Sequence, residues 1–139
     1  MTALQQLNEI ASAALRKKHP QVPDHALPKM KYSDKDANSL TRAVIDFIKL
    51  EGNFAERVNT SGRVIREGRT YRWIYGTGTR DSADIHAMKA GRSVMIEIKI
   101  GKDRQSRHQK EYQAKVEATG AVYLIVRTFD DFIKQWEVI

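Results

Sequence analysis

Apolar residues recur at helical spacing at the start of the chain, where Leu4, Leu7, Ile10, Ala11, Ala14 and Leu15 share one face over residues 3 to about 18. The basic run Arg16, Lys17, Lys18 suits the last turn of that helix, because cations offset the partial negative charge of a helix C-terminus. "HPQVPDHALPKMKY" (19–32) holds all three prolines and is neither regular helix nor central strand, so it reads as a connector laying the first helix on the main body. Helical spacing returns after residue 33, with Leu40, Val44, Ile45, Phe47 and Ile48 on one face and Gly52 as the stop.

The period then changes. "NFAERVN" and "YRWIY" read as strands, separated by a glycine-containing excursion over residues 60–70 that carries Arg63, Arg66 and Arg69, with Arg72 just beyond. "GTGTRDS" is a turn segment, and residues 84–88 and 93–100 form two strands around "KAGR". "SRHQKEYQAKVEATG" predicts a helix with Ser106 at its N-cap and Gly120 past its end. "AVYLIV" is a near-continuous apolar run of the kind buried parallel strands show, and "TFDDFIKQWEVI" predicts a helix capped by Thr128 with Asp130 and Asp131 in its first turn. A strand–helix–strand step over 93–126 requires parallel strands, so the expected architecture is α/β, a mixed sheet flanked by helices. Residues 1–32 form the N-terminal helix and connector, and 33–139 the main body of a single globular unit.

Composition narrows the chemistry. The 139 residues suffice for one domain with a substantial core, and 41% hydrophobic with 29% charged residues is a globular balance. The absence of cysteine excludes disulfides, zinc–thiolate sites and thiol nucleophiles. Neither a secretory signal pattern nor an apolar run of membrane-spanning length occurs, which predicts an intracellular, cytoplasmic protein. A net charge of +7 permits a polyanionic partner, most simply nucleic acid.

The two strands around "KAGR" carry the informative charges. A turn centred between Ala90 and Gly91 sets Lys89 opposite Arg92, His86 opposite Met95 and Asp84 opposite Glu97. Facing side chains lie about 4.5–5.5 Å apart at Cβ, where like charges repel, and a divalent cation held by carboxylate and carbonyl oxygens offsets that repulsion. Alternation places Glu97 and Lys99 on one face of the strand and Val94, Ile96, Ile98 and Ile100 on the other. Two carboxylates, the neutral carbonyl of Ile98 and an ammonium are the parts that phosphodiester hydrolysis needs. Taken alone, the same pattern is better read as a strand with one solvated face preceded by a turn aspartate.

"GTRDSADI", "VMIEIKIG", "SRHQKEYQ" and "AVYLIVRTFDDF", in that order, resemble the small phage-type VRR-NUC domains of the PD-(D/E)XK, restriction-endonuclease-like nucleases; upstream, "GNFAERVNTSG" resembles their first strand and following loop. The resemblance spans roughly residues 40 to 135. It implies an αβββαβ core with an extra N-terminal helix, Asp84 and Glu97 as metal ligands, and Lys99 as the catalytic lysine. Gln109 matches a glutamine that such domains often carry near the scissile phosphate, but Ser106 and Gln109 also form a capping box, which by itself explains a glutamine there. Many members add an acid from the first helix; Asp46, Glu51 and, on the next strand, Glu56 are available, and none matches the motif firmly. Ala83 stands where a proline sometimes precedes the first motif aspartate.

Lys102, Arg104, Arg107 and Lys110 flank the proposed site and suit a DNA backbone, with Arg63, Arg66, Arg69 and Arg80 available from loops. Tyr71, Trp73 and Tyr75 share a strand face, which reads as core packing in preference to base stacking. His86 shares the face of Asp84 but, as a lone histidine, reads as structural, and His19, His25 and His108 show no ligand spacing. The expected function is an Mg²⁺- or Mn²⁺-dependent DNA endonuclease. Branched DNA as substrate is suggested by the family likeness, and a homodimer would suit the cutting of two strands. The rivals are a non-catalytic nucleic-acid-binding module of the same fold and an RNA-directed nuclease.

Overall fold

A computed structural model describes residues 1–58, 63–74 and 82–139 of the chain. It is a mixed α/β fold, with four α-helices among the described residues: α1 (Ala3–Lys18), α2 (Ala37–Leu50), α3 (Arg107–Ala118) and α4 (Phe129–Glu137). The strands are β1 (Phe54–Arg57), β2 (Arg63–Glu67), β3 (Thr70–Ile74), β4 (Ile85–Lys89), β5 (Arg92–Ile98) and β6 (Val122–Val126). Four of them form the main sheet in the order β1-β4-β5-β6; β1/β4 and β4/β5 are antiparallel and β5/β6 is parallel.

Period-two alternation gives this sheet one apolar face. Ala55, Ile85, Ala87, Val94, Ile96, Ile98, Leu124 and Val126 join a single buried cluster with Leu40, Ala43, Val44 and Ile48 of α2 and Phe129, Phe132 and Trp136 of α4. Phe47 meets Phe129 and Phe132 edge-on at 5.8 and 5.7 Å between centroids. Each of these large side chains contributes about 1.5–3 kcal/mol by leaving water.

The N-terminal helix belongs to the same cluster. Thr2 and Gln5 form a capping box at its start, and Leu7 and Ala11 are buried in the shared core. The connector holds it there: Asn8 Oδ1 accepts the Tyr32 backbone N–H (2.7 Å), and Arg16 reaches Asp24 at 2.6 Å. The helix starts read from sequence are present, with Ser106 and Thr128 as side-chain caps and Asp36 capping α2 as well.

Two expectations need correction. Residues 60–70, read as an irregular excursion, contain strand β2, which pairs antiparallel with β3 into a separate two-stranded ribbon between β1 and β4. Tyr71 and Trp73, read as core, are 70% and 51% exposed. Among the described residues no second sheet or helix packs on that face of the ribbon, so alternation there does not mark a core. Tyr75 lies outside the described residues.

Candidate functional site

The site is set by the β4–β5 turn. Ala90 and Gly91 both have positive φ, +52° and +76°, the left-handed pair of a two-residue hairpin turn that matches strand twist. The register that follows is Lys89↔Arg92, His86↔Met95 and Ile85↔Ile96; the pairing ends there, one step short of Asp84 and Glu97, which the same symmetry would set opposite each other. Asp84 is anchored twice. Its Oδ2 accepts the backbone N–H of Ile98 (2.7 Å), and its own carbonyl accepts the N–H of Val58 at the end of β1 (2.9 Å).

Glu97 occupies the face opposite the apolar core, yet it is only 1% exposed. Its Oε1 accepts the Tyr123 hydroxyl of the neighbouring strand at 3.2 Å, while its Oε2 is buried with no hydrogen-bond partner. Burial pushes the Glu97 carboxyl above its ordinary range; Lys99, the Tyr123 hydroxyl and the Gln105 amide pull it back, and the Asp84 charge pushes it further up. Tyr123 in turn is raised, first by burial and then by the negative charge it faces. An uncompensated carboxylate oxygen in such a place is costly unless something pairs with it.

Lys99, two residues on along the same face, is 7% exposed. Its Nζ donates to Gln109 Oε1 (2.9 Å) and lies 3.6 Å from Asp103 Oδ2. Gln109 therefore does two jobs with one oxygen, which also accepts the Ser106 backbone N–H (2.9 Å) and closes the capping box of α3. The helix cap and the contact with the lysine, alternatives at the level of sequence, coexist. The loop between β5 and α3 is tied down by Arg127, whose Nη1 donates to the carbonyls of Gly101 and Asp103, both at 3.0 Å.

The basic side chains of Lys102, Arg104, Arg107 and Lys110 are exposed beside this loop, with Arg107 paired to Glu111 at 3.1 Å. Arg80 and the side chain of Arg63 lie outside the described part of the structure. Arg66 donates to the Gly68 carbonyl and Arg72 pairs with Glu67, both on the ribbon.

The additional acids fall elsewhere. Asp46 accepts the Tyr32 hydroxyl (2.8 Å) and faces Arg42, which ties the connector to α2, and Glu51 accepts the indole N–H of Trp136 (2.7 Å), which ties the end of α2 to α4. Glu56 sits directly across from His86 on β1, 3.7 Å from its Nδ1, one step along the sheet from Asp84 and exposed. The other ring nitrogen of His86 meets Ser93 Oγ at 2.8 Å, which makes it a cross-strand tie. Among the described residues no group of three or more His, Asp or Glu side chains assembles as a metal cluster.

Tyr123, Gln105, Asp103 and Arg127 are site residues that sequence reasoning missed. The one signal available for Tyr123 was a polar-tipped aromatic inside an otherwise aliphatic strand. Compared with known proteins, the chain matches no protein-family model and no curated protein.

Proposed function

We propose that this chain is a metal-dependent DNA endonuclease that hydrolyses phosphodiester bonds, built on a restriction-endonuclease-like core of the VRR-NUC kind. The observation that carries the reading is the buried, half-paired carboxylate of Glu97 with Asp84 across the strands and the ammonium of Lys99 two residues along. The helix–three antiparallel strands–helix–parallel strand order of α2, β1, β4, β5, α3 and β6 agrees with that core, with the β2–β3 ribbon inserted.

The donor set fits a small hard cation: the free Oε2 of Glu97, the Asp84 carboxylate and the Ile98 carbonyl are all oxygens. Mg²⁺ or Mn²⁺ held there supplies polarisation of the phosphate and acidification of water. The protein's own groups do the rest. The Ile98 N–H fixes the Asp84 carboxylate, and the Tyr123 hydroxyl fixes one oxygen of Glu97 so that the other stays available. Lys99, held by Gln109, presents a positive charge to the developing negative charge on phosphorus oxygens or to the attacking water. Exposed Lys102, Arg104, Arg107 and Lys110 supply sequence-independent phosphate contacts.

The test is incubation with plasmid, linear duplex, single-stranded and four-way-junction DNA, and matched RNA, with and without Mg²⁺ or Mn²⁺. Cleavage of DNA should require metal and fall on the order of 10²-fold or more in Lys99→Ala. Calorimetry should show Mn²⁺ binding to the wild type and none to Asp84→Ala. Salt-sensitive DNA binding without cleavage in either metal would instead identify a non-catalytic binding module.

A further inference from the structure

The β2–β3 ribbon has two unlike faces. Its register pairs Val64 with Trp73 and Arg66 with Tyr71, so these four side chains share one face, while Ile65, Arg72, Glu67 and Thr70 lie on the other. The first face is outward: Val64 is 57%, Tyr71 70% and Trp73 51% exposed, and none of them enters the core cluster. Ile65 and Ile74, by contrast, are half-buried. Two large aromatic rings in solvent contribute little to a folded core, and their exposure points to a partner.

The charge identifies the kind of partner. Residues 63–74 carry four arginines, Arg63, Arg66, Arg69 and Arg72, against one acid, Glu67, which is already paired with Arg72 at 2.8 Å. Arg66 stands directly across from Tyr71 on the aromatic face, Arg69 lies in the turn, and Arg72 is on the opposite face. A net-positive ribbon that carries two flat aromatic rings and an arginine on one face matches the polyanionic backbone and π-faces of single-stranded nucleic acid, where stacking is worth about 1–3 kcal/mol per base. A paired duplex hides those faces.

The position of the ribbon ties it to the carboxylate site. The chain departs for β2 after Val58 and comes back before Asp84, and the backbone bond from Val58 N to Asp84 O closes the ladder beneath it. The start of β2 therefore lies no farther than roughly 17 Å from Val58, the length of five extended residues. That is about half a turn of a B-form duplex.

We propose that the Tyr71–Trp73 face of the ribbon is a stacking platform for unpaired DNA bases, and that it directs the Asp84–Glu97 site toward DNA carrying single-stranded branches or tails. The cutting half of this statement rests on the nuclease reading; the stacking half does not.

The two halves separate in one experiment. The chain has two tryptophans, Trp73 and a Trp136 that is 1% exposed, so emission changes on adding DNA report Trp73. Titration with an oligo-thymidine strand should quench a large part of the emission, and a blunt duplex of equal length should quench far less. Tyr71→Ala/Trp73→Ala should lower the ratio of single-strand to duplex affinity tenfold or more, with an unchanged circular dichroism spectrum. Trp73→Phe should keep single-strand affinity within about threefold of wild type, because a ring remains, while abolishing the quench. An affinity ratio unaltered in the double variant overturns the proposal. So does a double variant that changes only from dimer to monomer in sedimentation, which would make this face a contact between copies of the chain. Trp73-dependent strand binding without cleavage of any DNA overturns the nuclease reading and leaves the platform standing. Cleavage of branched and unbranched DNA alike in both proteins does the reverse.

Discussion

Glu97 places a carboxyl group where water touches 1% of its surface and where one of its oxygens meets no donor. A carboxyl held above its ordinary value near 4.5 binds its proton more tightly in the folded than in the unfolded chain. That contribution is complete below the ordinary value and lost as pH rises through the folded one, so at neutral pH the ionised group works against folding. Glu97→Gln should therefore raise the thermal midpoint at pH 7 and, on the nuclease reading proposed above, end metal-dependent cleavage. The gain should shrink at pH 4. Melting curves of the two proteins at both pH values check this, and a lower midpoint for the variant at pH 7 would refute it. The acid–acid and acid–amine spacing was legible because strand side chains alternate strictly. Tyr123, Arg127 and Asp103 were not, since their roles depend on which strand lies beside β5 and how the following loop closes, neither of which a single strand's pattern encodes.

The β4–β5 hairpin fixes the whole site through two residues. Gly91 accepts positive φ freely, but Ala90, at +52°, has a Cβ that crowds its own backbone in that region. Ala90→Asn should relieve part of that strain and stabilise the fold by about 1 kcal/mol without moving the register, since Asn-Gly is the pair such turns prefer. Denaturant melts measure the stability, and unchanged Mn²⁺ binding would show that Asp84 still faces Glu97. This element was readable in advance because its strands are short, its turn has a glycine and its register has one symmetric solution. The β2–β3 ribbon was not. Its dense arginines and flanking glycines resemble loop composition, and the alternation of Tyr71 and Trp73 says that they share a face without saying whether anything covers it. At α3 the pattern was equally mute about the second job of Gln109, because a capping box satisfies the sequence signal before any lysine is considered.

At the scale of the molecule, one apolar core lies on one side of the main sheet and the charged site on the other. The N-terminal helix reinforces the core side through Leu7, Ala11 and the Tyr32–Asp46 bond, whose phenol is pushed up to about 12 by burial and by the carboxylate it donates to. On the DNA-binding reading proposed above, the net charge of +7 should appear in solution as a steep dependence of affinity on salt. Replacing Lys102, Arg104 or Lys110 with alanine should each flatten the slope of log affinity against log salt by about 0.9 if that residue neutralises a phosphate. Fluorescence anisotropy between 50 and 200 mM salt, as rough bounds, gives the slopes; three unchanged slopes would remove these residues from the DNA path. Apart from β2, the order of helices and strands was legible from periodicity and caps; the side of the sheet on which each helix lies was not, because period alone leaves both sides open. The bond between Val58 and Asp84 has one last consequence. Whatever length of polypeptide is housed between those two positions enters and leaves beside the acids, and its growth or replacement breaks no rung of the main sheet. An insertion in this excursion would thus alter what lies beside the two acids while leaving the Val58–Asp84 rung as the fixed base.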